Sequence, residues 1–214
     1  MPSVESLAAF SLASLLLILL PGPSVLFVIG RSLAHGHRGG LLSVLGNELG
    51  ALPLLVAVAF GLGAIVAESV LLFTIVKLLG AAYLVYLGIQ TIRHRGAGLG
   101  QSAGGAVHED AAPWVTLRQG FVVGVSNPKT TVFFVAVLPQ FVNFHAGSVP
   151  LQMLVLGLAF VVIALVCDST WAIAAGAARH WFASSPKRLS AIRASGGGMM
   201  VGLGGALALT GSKA

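Results

Sequence analysis

The chain alternates between long apolar runs and short polar connections, and that pattern sets its organisation. About 20 apolar residues, rising 1.5 Å each, cross the hydrocarbon of a bilayer. Six runs approach or exceed that length: about Leu7 to Gly30, Gly40 to Val66, Val70 to Ile92, Leu117 to Phe141, Leu151 to Ala177 and Ile192 to Thr210. They predict an all-α polytopic membrane protein of about six transmembrane helices, a single transporter-like domain over residues 1–214. The sixth run is short and crowded with glycines, among them Gly196, Gly197, Gly198, Gly202, Gly204 and Gly205. The first run is too long for the apolar core of a signal peptide and no Lys or Arg precedes Arg31, so it reads as a retained helix.

Composition agrees with a lipid solvent, since 57% of the residues are hydrophobic, only 8% are charged and the mean hydropathy is +0.96. A soluble domain carries about one-quarter charged residues. The net charge of +6 does not point to nucleic acid, because the basic residues are not clustered with aromatics on one face. Nine of the twelve Lys and Arg residues fall in three polar connections: Arg31 and Arg38; Arg93, Arg95 and Arg118; Arg179, Lys187, Arg188 and Arg193. The second and fourth connections carry none, so the positive-inside rule places the odd-numbered loops in the cytoplasm and both termini outside. The single cysteine, Cys167, lies within an apolar run and reads as a small buried hydrophobe.

The two halves of the chain echo each other. Pro21 is followed six and seven residues later by Phe27 and Val28, and Pro128 is followed at the same spacing by Phe134 and Val135. Three spans per half reverse the polarity of the second half, so the expected arrangement is two inverted three-helix repeats. The halves cover about residues 1–92 and 117–214, and the Gly- and Ser-containing stretch of about 93–116 reads as a linker.

Chemistry concentrates where the predicted helices break. Pro21, Gly22 and Pro23 interrupt the first run, and Asn127, Pro128 and Lys129 interrupt the fourth. A proline removes an amide donor and clashes with the carbonyl four residues before it, which frees the carbonyls of Leu17, Leu19 and Gly124. Free backbone groups are tolerated at membrane depth where they line a cavity. Half-helix starts attract anions and freed carbonyls attract cations, a pair of features that a zwitterionic amino acid matches. A kink held by neighbouring helices is the plain structural alternative for either break alone.

Four ionisable residues fall within apolar runs, where each costs roughly 2.5–3.5 kcal/mol to insert at the bilayer centre. Lys129 is placed to hold a substrate carboxylate or to pair with Asp168. Asp168 is the leading candidate for proton coupling or for binding a substrate ammonium, with a static ion pair to Lys129 as the alternative. Glu48 sits between Gly46 and Gly50, a small-xxx-small pattern that allows close helix approach, and either lines the path or reaches the interface. Lys77 can extend its stem to the outer interface and reads as structural. Gly120 and Gly124 repeat the small-xxx-small spacing.

Three ordered motifs carry a resemblance. They are Pro21-Gly22-Pro23, then Lys77-x-x-Gly80-Ala81-Ala82-Tyr83-Leu84-x-Tyr86-Leu87-Gly88, then Asn127-Pro128-Lys129 followed by Phe133-Phe134 and Leu138-Pro139-Gln140-Phe141. Together they resemble the LysE/RhtB family of amino-acid exporters over about Leu7 to Phe141, while the last third resembles it only in length and hydropathy. The resemblance implies proton-driven export of amino acids or close derivatives across the bacterial inner membrane. It implies roles in the transport path for Pro21, Gly22, Pro23, Asn127, Pro128 and Lys129, with no cofactor. Glu48 and the glycine-packed sixth run stand outside the recognised pattern.

Other functions fit less well. A metal-ion or other small-solute exporter remains the nearest alternative, although one cysteine, four methionines and no clustered histidines give little to hold a soft metal. An intramembrane enzyme lacks an intramembrane base, since His35, His37, His94, His108, His145 and His180 all fall in loops or at helix ends. No G-x-x-x-x-G-K-[ST] loop for ATP phosphates is present. The glycine-rich faces would permit a homodimer as readily as packing within one subunit.

Overall fold

The computed structural model describes residues 1–68, 70–93 and 112–178, with scattered helical positions between 190 and 209. Every regular element among these residues is helical. Helix α1 spans Val4–Leu19, α2 Pro23–Glu68, α3 Val70–Arg93, α4 Pro113–Val125, α5 Pro128–Val132 and α6 Val149–Ala177. A π-helical turn, Phe133–Val137, and a 3-10 turn, Leu138–Phe141, continue α5. Three described stretches are long and apolar enough to cross a membrane: His35–Gly61, Pro113–Phe141 and Val149–Ala177. Val4–Leu19 with Pro23–Leu33 makes a fourth when its 53° bend is taken as a break within one span. The chain is a polytopic helical membrane protein. The predicted sixth run, most of the linker and the side chain of Lys77 lie outside the described residues.

The first predicted connection is short and sharp: two helical limbs meet at Gly36, whose φ of 73° and ψ of −177° are not helical and suit glycine almost alone. The second limb of α2 then returns beside the first, so that Phe27, Val28 and Val44 cluster with Ala172 of α6. Polar residues 31–38 thus mark the connection between the limbs, and the turn itself falls at Gly36.

Helix α1 starts with Ser3 as cap, its hydroxyl accepting from the Ser6 amide at 3.1 Å. It stops at Leu19 because neither Pro21 nor Pro23 can donate. The fourth predicted span breaks at Ser126 and Asn127 and restarts with Pro128 at its first position, where a missing amide is harmless. Pro139 also lacks a donor, and the backbone ahead of it widens so that the Leu138 amide reaches the Phe133 carbonyl.

Packing reveals how the two broken spans cross. Phe133, Phe134 and Leu138, after the second break, share a core with Leu17 and Ile18, before the first. Phe27, after the first break, clusters with Val123, before the second. The two broken helices therefore run in opposite directions.

The second limb of α2 meets α4 through glycines from both. A Cβ on Gly46 would strike the Leu117 carbonyl, and one on Gly50 the Phe121 carbonyl. A Cβ on Gly120 would meet the Ser43 carbonyl and one on Gly124 the Asn47 carbonyl. Neither backbone can yield without breaking its own helix, so this contact fixes how closely the limbs approach. We expect Gly124→Val to destabilise the protein in detergent by about 1–3 kcal/mol or more. Gly61→Ala, whose Cβ would enter open space, should leave the thermal unfolding midpoint unchanged.

Candidate functional site

The two breaks meet. The Asn127 side chain donates from Nδ2 to Ser24 Oγ at 3.1 Å, tying the start of one half-helix to the start of the other. The same side chain caps its own half-helix, Oδ1 accepting from the Lys129 amide at 3.1 Å. Lys129 reaches across to the first break, where Nζ donates to the carbonyls of Leu17 at 3.0 Å and Leu20 at 2.8 Å. The Leu17 carbonyl, which Pro21 deprives of its helical donor, also accepts from the Leu20 amide at 3.1 Å, and the Leu20 carbonyl from the Gly22 amide at 2.8 Å, so Lys129 is a second donor to each. Gly124 differs from expectation: the Asn127 amide turns back to donate to its carbonyl at 3.2 Å, so that group is not left free.

Between the breaks lies a small, partly open cleft. Its polar lining comes from Ser24, Asn47, Glu48, Asn127, Lys129, Thr130 and Asp168. Four of the sequence-predicted site residues, Glu48, Asn127, Lys129 and Asp168, therefore converge, while Pro21, Gly22, Pro23 and Pro128 form the breaks that open the space. Lys129, Asp168 and Glu48 are 3%, 4% and 5% exposed. Glu48 faces the cleft and does not extend to an interface; the Asn47 amide donates to its Oε1 at 2.8 Å.

Magnitudes separate the roles of the charges. Each hydrogen bond from a charged donor contributes about 1.5–3 kcal/mol, so the two carbonyl bonds of Lys129 offset an insertion cost of roughly 2.5–3.5 kcal/mol. Two of its three N–H groups are used, and the third is left for the cleft. Asp168 has no such compensation. Among the described residues no ion pair closes between it and Lys129, and its Oδ1 is buried without a hydrogen-bond partner. Asn47 Oδ1 is in the same condition. One ammonium, two carboxyl groups and two acceptors without donors thus share this space.

Ser24, Asn47 and Thr130 were not singled out in the sequence. Ser24 follows Pro23 directly, a place at a half-helix start where a small polar residue has a role. Asn47 precedes Glu48, and only its tertiary setting turns its oxygen into the cleft. Among the described residues no three His, Cys, Asp or Glu side chains gather as a metal site.

Apolar layers bound the cleft on both sides. On one, Phe133 stacks at 5.6 Å from Phe10 and 5.3 Å from Phe160, which also meets Phe134 edge-on at 5.0 Å. On the other lie Phe27, Val28, Val44 and Ala172. Phe27 and Phe134, the matched positions of the two halves, stand in opposite layers.

Comparison with known proteins gives a consistent picture. A family model described as LysE type translocator matches residues 15–211. A protein of Vibrio cholerae named only as an uncharacterized membrane protein is 36% identical over 201 residues, 94% of this chain and 95% of that protein. The homoserine/homoserine lactone efflux protein of Salmonella typhimurium is 32% identical over 206 residues, 94% of each. A leucine efflux protein of Salmonella choleraesuis is 28% identical over 195 residues, 91% of this chain and 88% of that protein. No solved structure matches the chain.

Removing the cross-break lysine should expose its structural share. We expect Lys129→Met, which removes two charge-assisted bonds but leaves the Leu17 and Leu20 carbonyls their backbone donors and relieves a buried charge, to change stability by no more than about 1–3 kcal/mol in all. Asn127→Ala should cost about 1 kcal/mol as a lost cap. Thermal unfolding of the purified variants in detergent measures both.

Proposed function

Because the chain belongs to the LysE type translocator family, we propose that it is a secondary active exporter of amino acids or close derivatives. Its place would be the bacterial inner membrane, with the odd-numbered loops in the cytoplasm. The observation that carries this reading is the cleft where two oppositely directed broken helices cross, furnished with complementary unmatched groups. The free N–H of Lys129 and the half-helix starts suit a carboxylate, while Asp168 Oδ1 and Asn47 Oδ1 suit an ammonium. Homoserine and leucine, named for two relatives, have only the α-ammonium and α-carboxylate in common as charged groups. Recognition through those groups leaves the side chain to set selectivity.

Export against a gradient needs an energy source, and Asp168 is the residue we assign to proton coupling. A buried carboxyl without a fixed partner can exchange a proton for a substrate ammonium, so that one displaces the other during the cycle. Halves of about residues 1–92 and 117–214, related as inverted repeats through the linker at 93–116, would rock about the crossing. The aromatic layer and the Phe27 layer would then open alternately. The transition needs no covalent chemistry, and the chain acts as a transporter and not as an enzyme.

Counterflow in proteoliposomes tests the reading. Vesicles loaded with a panel of unlabelled amino acids should accumulate one labelled counterpart, and the liganded amino acid names the substrate. In Asp168→Asn, exchange should persist while accumulation driven by an imposed proton gradient is lost. Failure of folded wild-type protein to exchange any amino acid would remove the proposal, and unchanged gradient-driven accumulation in Asp168→Asn would remove Asp168 from coupling.

A further inference from the structure

Arg31 lies on the first limb of α2, seven residues beyond Ser24 and thus about 10 Å further along the same face. Its guanidinium stands over the Phe27 ring at 5.4 Å from the centroid. The residue is only 4% exposed, and Nη1 is buried without a hydrogen-bond partner. Among the described residues no carboxylate pairs with it.

A cation over an aromatic ring gains about 0.5–2 kcal/mol, whereas the effective penalty for taking a guanidinium out of water is several kcal/mol. Phe27 therefore holds Arg31 in place without balancing its charge. No described residue supplies the balancing anion, and the planar fork of guanidinium donors fits a carboxylate in two parallel bonds. The stripe Ser24, Phe27, Val28, Arg31 joins this position to the cleft, with the apolar layer between them.

We infer that Arg31 forms a loading site that takes the substrate's α-carboxylate before it passes the Phe27 layer and is handed to Lys129. The inference rests on the exporter reading and adds to it a second binding position, outside the cleft. A lipid phosphate offers similar chemistry, but the low exposure of Arg31 and its alignment with Ser24 favour a ligand on the transport path over one in the bilayer.

The test uses full-length protein in phosphatidylcholine vesicles, with wild type, Arg31→Gln and Arg31→Lys. The probes are the transported amino acid and its α-amide, which keeps the ammonium and lacks the carboxylate, the amide being read as a competitor. In Arg31→Gln the half-saturation concentration for the amino acid on the Arg31 side should rise about tenfold or more. Maximal exchange should stay within about twofold, and the inhibition constant of the amide should not move. Arg31→Lys should recover part of the loss, which also guards against a folding defect. Equal changes for amino acid and amide, or no change for either, would overturn the inference, as would an effect that appears only when phosphatidylglycerol is added. Wild-type protein that exchanges no amino acid would overturn the exporter reading itself, a result distinct from an active transporter indifferent to Arg31.

Discussion

A broken backbone inside a membrane must find polar partners, and here Lys129 supplies one. Its ammonium spans from one broken helix to the carbonyls of Leu17 and Leu20 in the other. Both carbonyls also accept backbone amides, Leu17 from Leu20 and Leu20 from Gly22, so Lys129 adds charge-assisted bonds to the second lone pairs and ties one break to the other. The Asn127 bond to Ser24 does the matching work at the half-helix starts. Because both bonds join residues far apart in sequence, the cleft is present only when the two halves are assembled. Site formation and folding are one event here, in contrast to a pocket carved into a finished scaffold.

Close helix approach is the second constraint. Gly46 and Gly50 lie against the backbone of α4, and Gly120 and Gly124 against that of the second limb of α2. That contact sets Asn47 and Glu48 beside the break at Asn127, since both sit on the limb that the glycines position. A transporter must also change shape, and the rigid glycine contact contrasts with the bent first span, the hinge at Gly36 and the π-helical turn after Lys129.

Much of this was legible in the sequence for physical reasons. Hydrophobic run length located the described spans to within a few residues, because the thickness of hydrocarbon imposes it. Prolines located both breaks, because a missing donor disfavours helix there, although Pro53 is carried within the second limb of α2 and Pro139 produces only a widened turn. The glycine spacing foretold the close contact. Other features depend on tertiary detail. That Lys129 satisfies the opposite break instead of pairing with Asp168, that Glu48 faces inward, and that Asn47 turns an unmatched oxygen to the cleft all depend on which helix faces meet. Hydropathy does not encode facing. How tightly the chain turns within residues 31–38 was hidden for a related reason: polar residues mark the membrane boundary without saying that a single glycine, Gly36, makes the turn.

The central claim is that a transported amino acid occupies the crossing of the two broken helices, and substrate protection measures that directly. In a Cys167→Ser background, Ser24→Cys places one thiol in the cleft lining, and its alkylation rate by a small maleimide can be followed with and without substrate. Provided the variant still exchanges substrate, saturating amino acid should slow alkylation in proportion to occupancy, with a half-effect at the same concentration that half-saturates exchange. An active variant alkylated at the same rate with and without saturating substrate would place the transported molecule elsewhere and contradict the account.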